Sequence, residues 1–493
     1  MYVLGIDVGT TGTKALLVSE EGKIIAKGYS SYGILSSGNV CVEQDPRLWW
    51  KAFIEATKQA CKGINSREVV ALSLSTQGAS SLFVDTEGRP ITNAITWMDG
   101  RASLEAKELE DTVGADLIYH KTGWRASPSL DAAKLKWFKK HEPDIIFRAD
   151  KFLSTLEFIN MLLVGRPLVD QTNAAIRQLM DIETLSWDQE IINATGCSSR
   201  LLPEIVPSGA LIGTVLPEVA ETLGFCKELR VYNGAHDQYC ASIGSGISKP
   251  GEIMLSTGTS WVLMAITGHP LFTKSGVCPG PHIIHGLFGA IMSLGATGAS
   301  IDWFKEKFLS GNYPELETSH EISRNRAGEI FFFPWLAGTG YPNRFPSARG
   351  AFIGFNFKHN RIDAALAIME GVVYQMRLAL EDYRFNGGIV NTIRIIGGAL
   401  NNRYWVDLIR NNVDCTVSIM EERDAACVGA AAIALVGEKY FPDFNSAAMT
   451  MNQPRILEMG DESKRRENTA RYERWKKAGE ILLMVYLQEE RGK

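Results

Sequence analysis

The chain has 493 residues, of which 45% are hydrophobic and 22% charged, with a net charge of -5. That length calls for two domains or more, each burying its own core, and the composition is that of a soluble globular protein. The mild acidic balance gives no support to nucleic-acid binding, and the longest strongly apolar stretch, 425–436, is too short to span a bilayer. Eight cysteines are scattered without a C-x-x-C pair, which suggests neither a zinc site nor a disulfide framework. Reduced thiols in a cytoplasmic protein are the simplest account. The chain enters an apolar run at once with no basic leader, so no signal peptide is expected.

Residues 1–18 read MYVLGIDVGTTGTKALLV. Val3, Leu4, Ile6 and Val8 suit a buried strand. Gly9, Thr10, Thr11, Gly12 and Thr13 turn the chain, and 15–18 is a second apolar run. The unit predicts a β-hairpin with a Gly/Thr-rich tip. Glycine lets backbone N–H groups approach an anion, and threonine adds hydroxyl donors. Asp7, where the strand meets the tip, would repel a bare phosphate, so Mg²⁺ is expected between them. Lys14 adds a positive charge. Taken alone, the same residues also suit an ordinary turn.

Residues 23–32 predict a third strand. Glu43-Gln44-Asp45-Pro46 leads into a helix over 48–61, opened by an Asp-Pro start signal. Residues 69–75 are strand-like and end at Thr76-Gln77-Gly78. Short strands are expected at 82–84 and 95–97, the second running into Trp97-Met98-Asp99-Gly100-Arg101. The stretch 102–180 reads as mostly helical. A strand over 231–235 ends at His236-Asp237-Gln238, and a helix over 239–247 closes the first half.

The opening pattern then returns. Residues 253–260 read IMLSTGTS, followed by an apolar return strand over 261–266. Aligning Gly258-Thr259 with Gly9-Thr10 puts Ser256 opposite Asp7, so the second tip lacks the carboxylate. Two such hairpins, one opening each half, suggest duplicated domains with facing loops. The boundary falls near 246–251, giving domains 1–246 and 247–493. Asn360 and Asp363 are expected to cap a long helix over 361–383, closed by Gly387-Gly388. A strand over 392–396 turns at Gly397-Gly398-Ala399 into a helix from about Asn402 to Asn412. Another strand at 415–420 precedes a small-residue helix at 425–435. A strand–Gly-Gly–helix turn lets a flat ligand press on backbone, and simple helix–strand packing needs the same glycines. The charged tail, 461–493, reads as a solvated outer helix without a catalytic role.

Two anion-binding tips, an acid beside the first and Asp237 at another strand end suit phosphoryl transfer, which needs positioning, Mg²⁺ and charge neutralisation more than covalent help. The acceptor's proton needs a base. Asp237 is the candidate, since strand ends in α/β domains face the ligand crevice, with His236 as its rival. Trp97, Asp99 and Arg101 offer an aromatic platform and a charged pair for polyol hydroxyls, a pattern that an exposed turn with a surface ion pair shares.

The segments GIDVGTTGTKA, EQDPRLWW, ITWMDGRA, GAHDQYCASIGSG, STGTS, SARGAFIG and IIGGALNNRYW occur in this order over essentially the whole chain. In them the chain resembles the FGGY carbohydrate kinases, and EQDPRLWW and WMDGR bring it nearest to the xylulokinase branch. The resemblance implies a two-domain actin-like, ribonuclease-H-like ATPase fold of the α/β class, with duplicated domains around a central cleft. It implies ATP and Mg²⁺ as cofactors, a small sugar or polyol as substrate, and a homodimer as a common assembly. By the same resemblance Asp237 matches the catalytic base, and Asp7 with Asp237 the metal side. Gly9, Thr10, Thr11 and Lys14 match the first phosphate loop, and Gly258 and Thr259 the second. Gly398, Ala399 and Asn402 lie in the adenosine-side motif. Gln77, Trp97, Asp99, Arg101 and Gln238 fall on the substrate side. The reaction implied is ATP-dependent phosphorylation of a ketopentose such as D-xylulose, or of another sugar, sugar acid or polyol. A nucleotide-binding sensor or scaffold of the same fold is the alternative.

The departures concern substrate. After the position of Gln77, xylulokinases carry Met-His and glycerol kinases Arg-Glu, whereas this chain has Gly78-Ala79. Xylulokinases have Asn after the catalytic Asp, where Gln238 stands. The Gly-Glu-Arg-Thr-Pro block is replaced by Gly338-Thr339-Gly340-Tyr341-Pro342. The small pair at 78 and 79 is expected to leave room for a bulkier or differently oriented substrate.

Overall fold

A computed structural model describes residues 1–38, 40–309, 329–342 and 344–491. The opening hairpin pairs Tyr2–Val8 with Gly12–Ser19, and a third strand, Ile24–Ser31, extends it antiparallel. On the other side Tyr2–Val8 runs parallel to Val69–Thr76, which is parallel to Arg230–His236. Leu211–Thr214 completes the six-stranded sheet. Side chains alternate across a strand, so each face supplies its own core. Leu4, Ile6, Val8, Ala15 and Leu17 pack with Trp49 and Phe53 of the helix Pro46–Ala60. Val3, Leu16 and Val18 pack instead with Cys427, Val428 and Ala431 of Ala425–Gly437. A helix from the second half therefore covers one face of the first sheet. Asp45 caps Pro46–Ala60 by accepting from the Arg47 N–H at 3.0 Å.

The second sheet repeats the plan. Glu252–Thr257 is antiparallel to Trp261–Thr267 and parallel to Thr392–Gly397. It has seven strands, with Cys278–Pro281 and Pro454–Ile456 at its edges. Hairpin, then parallel neighbour, is thus the topology of both halves, and the repeat read from the two tips is a repeat of the backbone.

The halves meet where the helix Asp237–Gly244 crosses Ala425–Gly437. A Cβ placed at Gly429 would lie 1.9 Å from the Cys240 carbonyl oxygen, and one at Gly244 1.8 Å from that of Ala425. The run AACVGAAA is small because backbone lies against backbone there.

The long helix Arg361–Phe385 carries the expected capping box: Asn360 accepts from the N–H of Ile362 and Asp363, and Asp363 accepts from the N–H of Asn360 at 2.9 Å. Other expectations are corrected in detail. The strand at 95–97 is Ala94–Ile95 only, and the helix after the second acid begins at Asp237 itself. The helical stretch is interrupted by the strand Lys151–Ser154. The tail helix, Glu462–Arg491, is not simply solvated. Tyr472 and Trp475 are fully buried, Trp475 Nε1 donates to the Phe332 carbonyl at 2.8 Å, and Arg471 pairs with buried Glu370. Two aromatics one helical turn apart are enough to seat a charged helix, because the charges take the outer face. Among the described residues no helix is long and apolar enough to cross a membrane.

Candidate active site

Parallel register brings two acids to one edge of the first sheet. Asp7 lies beside Ser75 on the neighbouring strand, and Ser75 lies beside Ala235 on the next, two residues before Asp237. Two strand spacings, about 10 Å, separate Asp7 from Ala235. The Ser75 hydroxyl donates to Asp7 Oδ1 at 2.7 Å. Burial pushes the Asp7 carboxyl up to about 6; the Ser75 bond pulls against it, and the Asp237 charge adds to it. Burial likewise raises Asp237 to about 6, opposed by hydrogen bonds from the Gln238 backbone and side chain. Two neighbouring carboxylates held out of water favour a cation between them.

His236 faces the same place. Its Nε2 lies 3.2 Å from Asp237 Oδ1, while its Nδ1 is buried without a partner. Burial lowers its basicity to about 4, so it is neutral at physiological pH. The strand end is fixed from behind: the His236 N–H donates to Thr172 Oγ1 at 2.9 Å. Thr172 is in turn held by Asp170, a buried acid that also accepts from Asn173 and Ser208.

The first tip is tied down at three successive carbonyls. Tyr32 Oη donates to Gly9 O at 2.5 Å, Gln44 Nε2 to Thr10 O at 2.6 Å, and the Tyr32 N–H to Thr11 O at 3.2 Å. Trp97 Nε1 adds a bond to Thr10 Oγ1 at 3.1 Å. Such bracing pre-shapes a loop whose remaining groups meet a ligand. Gly9 and Gly258 have no atom within 3.4 Å of a built Cβ, which leaves both tips open to close approach. In the second tip the Ala299 N–H donates to Thr259 O at 2.8 Å. Thr257 Oγ1 donates to Ile396 O and accepts from the Ala399 N–H, so this tip is locked to the Gly397-Gly398-Ala399 turn. Gly397 has φ of 91°, a conformation that favours glycine.

Both halves of the chain match the FGGY family of carbohydrate kinases, its N-terminal domain over residues 2–244 and its C-terminal domain over 253–438. The chain belongs to this family. It is 28% identical over 449 residues to a xylulose kinase of Staphylococcus xylosus, covering 90% of this chain and 92% of that one. It is also 28% identical over 453 residues to a gluconokinase of Bacillus licheniformis, covering 88% and 87%. Among solved structures, a ligand-bound xylulose kinase from Lactobacillus acidophilus matches with a TM-score of 0.92 at 23% identity over 99% of both chains. The protein is thus an ATP-dependent FGGY carbohydrate kinase with the two-domain actin-like fold.

For an FGGY kinase, several expected residues sit differently from the sequence reading. Lys14 is not a free cation at the loop: its Nζ is 2.8 Å from Asp424 Oδ1, from the second half. Lys27 joins the same cluster through Glu422 and Asp424. Asp99 is buried and wholly engaged, accepting from the Val42 N–H at 2.7 Å and from the Arg101 N–H and guanidinium. Arg101 also pairs with Glu43 and lies over Trp137. The pair braces the turn, and only Trp97, 42% exposed, stays open. Asn402 spends its oxygen capping the helix Arg403–Arg410. Gln77 is buried; its Nε2 donates to Gln44 Oε1 at 2.9 Å and its own Oε1 has no partner. Gln238 Oε1 is likewise without a partner.

The room expected at Gly78-Ala79 is filled. A Cβ at Gly78 would come within 2.6 Å of His236 Cδ2 and 2.7 Å of Nε2, so the imidazole occupies the space a side chain there would take. Ala79 keeps φ of 50°, its carbonyl held at 2.6 Å by fully buried Lys134. Gly78→Val is therefore expected to displace His236 and raise the acceptor KM by about tenfold or more, with the ATP KM unchanged, in steady-state kinetics. Equal KM values in parent and variant would disprove that packing argument. Sequence reading missed Ser75, Gln44, Asp170 and Asp424. Only Asp170 had a local signal, as an Asp two residues before a Thr at a helix start.

Proposed function

We propose that this kinase transfers the γ-phosphoryl group of ATP to a hydroxyl of a neutral ketopentose, with D-xylulose as the leading acceptor. Asp237 acts as general base: its carboxyl, near 6, is ionised at neutral pH yet basic enough to take a hydroxyl proton as attack begins. Asp7 stands on the metal side, where Ser75 fixes one oxygen. Among the described residues no group of three or more His, Cys, Asp or Glu side chains forms a metal cage. That donor set suits Mg²⁺, which keeps waters and substrate phosphates as ligands around one or two carboxylates. Bound Mg-ATP supplies the phosphoryl group and neutralises its charge. Gly9, Thr10 and Thr11 on one side and Gly258 and Thr259 on the other hold the phosphates, and Gly398 and Ala399 flank the adenosine.

The observation that carries this reading is the pairing of Asp7–Ser75 with Asp237 on adjoining parallel strand ends. A second observation favours a neutral acceptor over a sugar acid. Two cations near the acceptor side are committed, Arg101 to Asp99 and Glu43, and Lys134 to the Ala79 and Ile95 carbonyls. Xylulose kinases and gluconokinases both stand among the relatives, so a panel decides. ADP release would be measured with xylulose, ribulose, fuculose, rhamnulose, gluconate, glycerol and erythritol. The highest kcat/KM is expected with xylulose. Faster turnover of gluconate would reverse the neutral-acceptor reading, and no stimulation by any of them would overturn the ketopentose assignment.

A further inference from the structure

Gln44 ends the strand Cys41–Gln44 and is 1% exposed. Every polar group of its amide is used. Its Oε1 accepts from Trp49 Nε1 at 3.1 Å and from Gln77 Nε2 at 2.9 Å, while its Nε2 donates to Thr10 O at 2.6 Å. Trp49 can only donate, so the network assigns which end of the Gln44 amide is oxygen. That assignment propagates: Gln77 must present its nitrogen to Gln44, which leaves Gln77 Oε1 as the buried acceptor without a partner. A buried carbonyl that has given up water without a hydrogen bond is an unmet demand for a donor. A sugar hydroxyl is such a donor. Trp97, far along the chain from Gln77, reaches the same loop residue through Thr10 Oγ1. Thr10 is thus gripped by its backbone from Gln44 and by its side chain from Trp97.

We propose that Gln44 is a positioning residue that couples acceptor occupancy to the first phosphate loop. It touches neither substrate. A hydroxyl donating to Gln77 Oε1 locks the Gln77 amide in the orientation that Gln44 requires, and Gln44 then holds the Thr10 carbonyl, and with it the tip, in line. An empty acceptor side leaves Gln77 Oε1 unsatisfied, with the Gln77 amide held through its Nε2 bond to Gln44. The relay would favour ATP turnover only when a sugar is present to receive the phosphoryl group. This inference rests on the acceptor-phosphorylating function proposed above.

The test compares the parent with Gln44→Glu, Gln44→Met and Trp97→Phe. Gln44→Glu keeps the acceptor for Trp49 and Gln77 but loses the donor to Thr10; Gln44→Met loses both at similar volume. ADP and phosphorylated xylulose are measured together, alongside acceptor-free ATP hydrolysis, KM for each substrate and thermal melting. Folded Gln44 variants are expected to form at least about twice as much ADP per phosphorylated sugar as the parent, with acceptor-dependent kcat down by about tenfold or more, as for a misplaced reacting group. Trp97→Phe, whose change lies at an exposed residue outside the core, should move the ADP-to-product ratio the same way if the buried variants do not fold. A parental ratio and kcat in the folded variants would overturn the positioning role alone. Absence of sugar-stimulated ADP formation in the parent would overturn the function it rests on, and the inference with it.

Discussion

Asp237→Ala is expected to lower turnover by about two to four orders of magnitude, the usual range for a lost general base. ATP binding, read by calorimetry, should persist, because both phosphate tips are built from other residues. The same side chain sets the pH profile. Burial holds its pKa near 6 against an ordinary 3.8, so kcat/KM should fall tenfold per unit as the pH drops below about 6. His236 is no substitute: near 4 it is a weaker base than Asp237, and it is neutral throughout this range. A raised carboxyl pKa also has a stability sign. The folded state holds this proton more tightly than the unfolded chain, so ionisation above about 6 works against folding. Asp237→Asn should therefore melt no lower than the parent at pH 7.5 while being nearly inactive. Parental turnover in either variant would remove Asp237 as the base, and a profile flat down to pH 5 would show that its ionisation does not limit the reaction.

The parts of this site that were legible from sequence are those encoded by short-range pattern. Val3 to Val8 followed by a Gly/Thr tip reads as a hairpin wherever it stands, and its echo at 253–260 points to duplication. Asn360 with Asp363 announces a helix start for the same local reason. What was not legible is set by contacts between distant segments. Nothing near Lys14 reveals that Asp424, some four hundred positions later, takes its charge. Nothing at Gly78 shows that His236 lies on it. The pair Asp99 and Arg101 looked like an open platform because sequence does not show burial; Val42 and Glu43 close it. The tail misled through its average charge, which hides Tyr472 and Trp475 on one face. Function was read more easily than specificity, because the phosphate tips are local patterns, whereas the surroundings of Asp237 are assembled from distant segments.

Gly429→Val is expected to cause a large loss of stability although it lies outside the site. Its built Cβ would stand 1.9 Å from the Cys240 carbonyl oxygen and 2.6 Å from the carbonyl carbon. These are backbone atoms of the facing helix, so no rotamer change relieves the clash and the helices must separate. Overpacking of this kind costs about 1–3 kcal/mol, and more where the backbone itself must move. Gly268→Ala is the matched control, because a Cβ there meets nothing within 4 Å, and such surface changes stay within about 0.5 kcal/mol. Chemical denaturation of the two variants beside the parent gives the comparison; a Gly429→Val midpoint equal to that of Gly268→Ala would refute the close-packing account. The effect should also reach catalysis in protein that is still folded. Asp237 opens one of the crossing helices and Asp424, which holds Lys14 of the first tip, immediately precedes the other. Widening the crossing shifts the base against the phosphate loop, and reacting groups misplaced by about 1 Å lose rate by up to about a hundredfold. A fall in kcat measured well below the melting range would therefore show that the small residues of Ala425–Gly437 set the geometry of phosphoryl transfer as well as the stability of the fold.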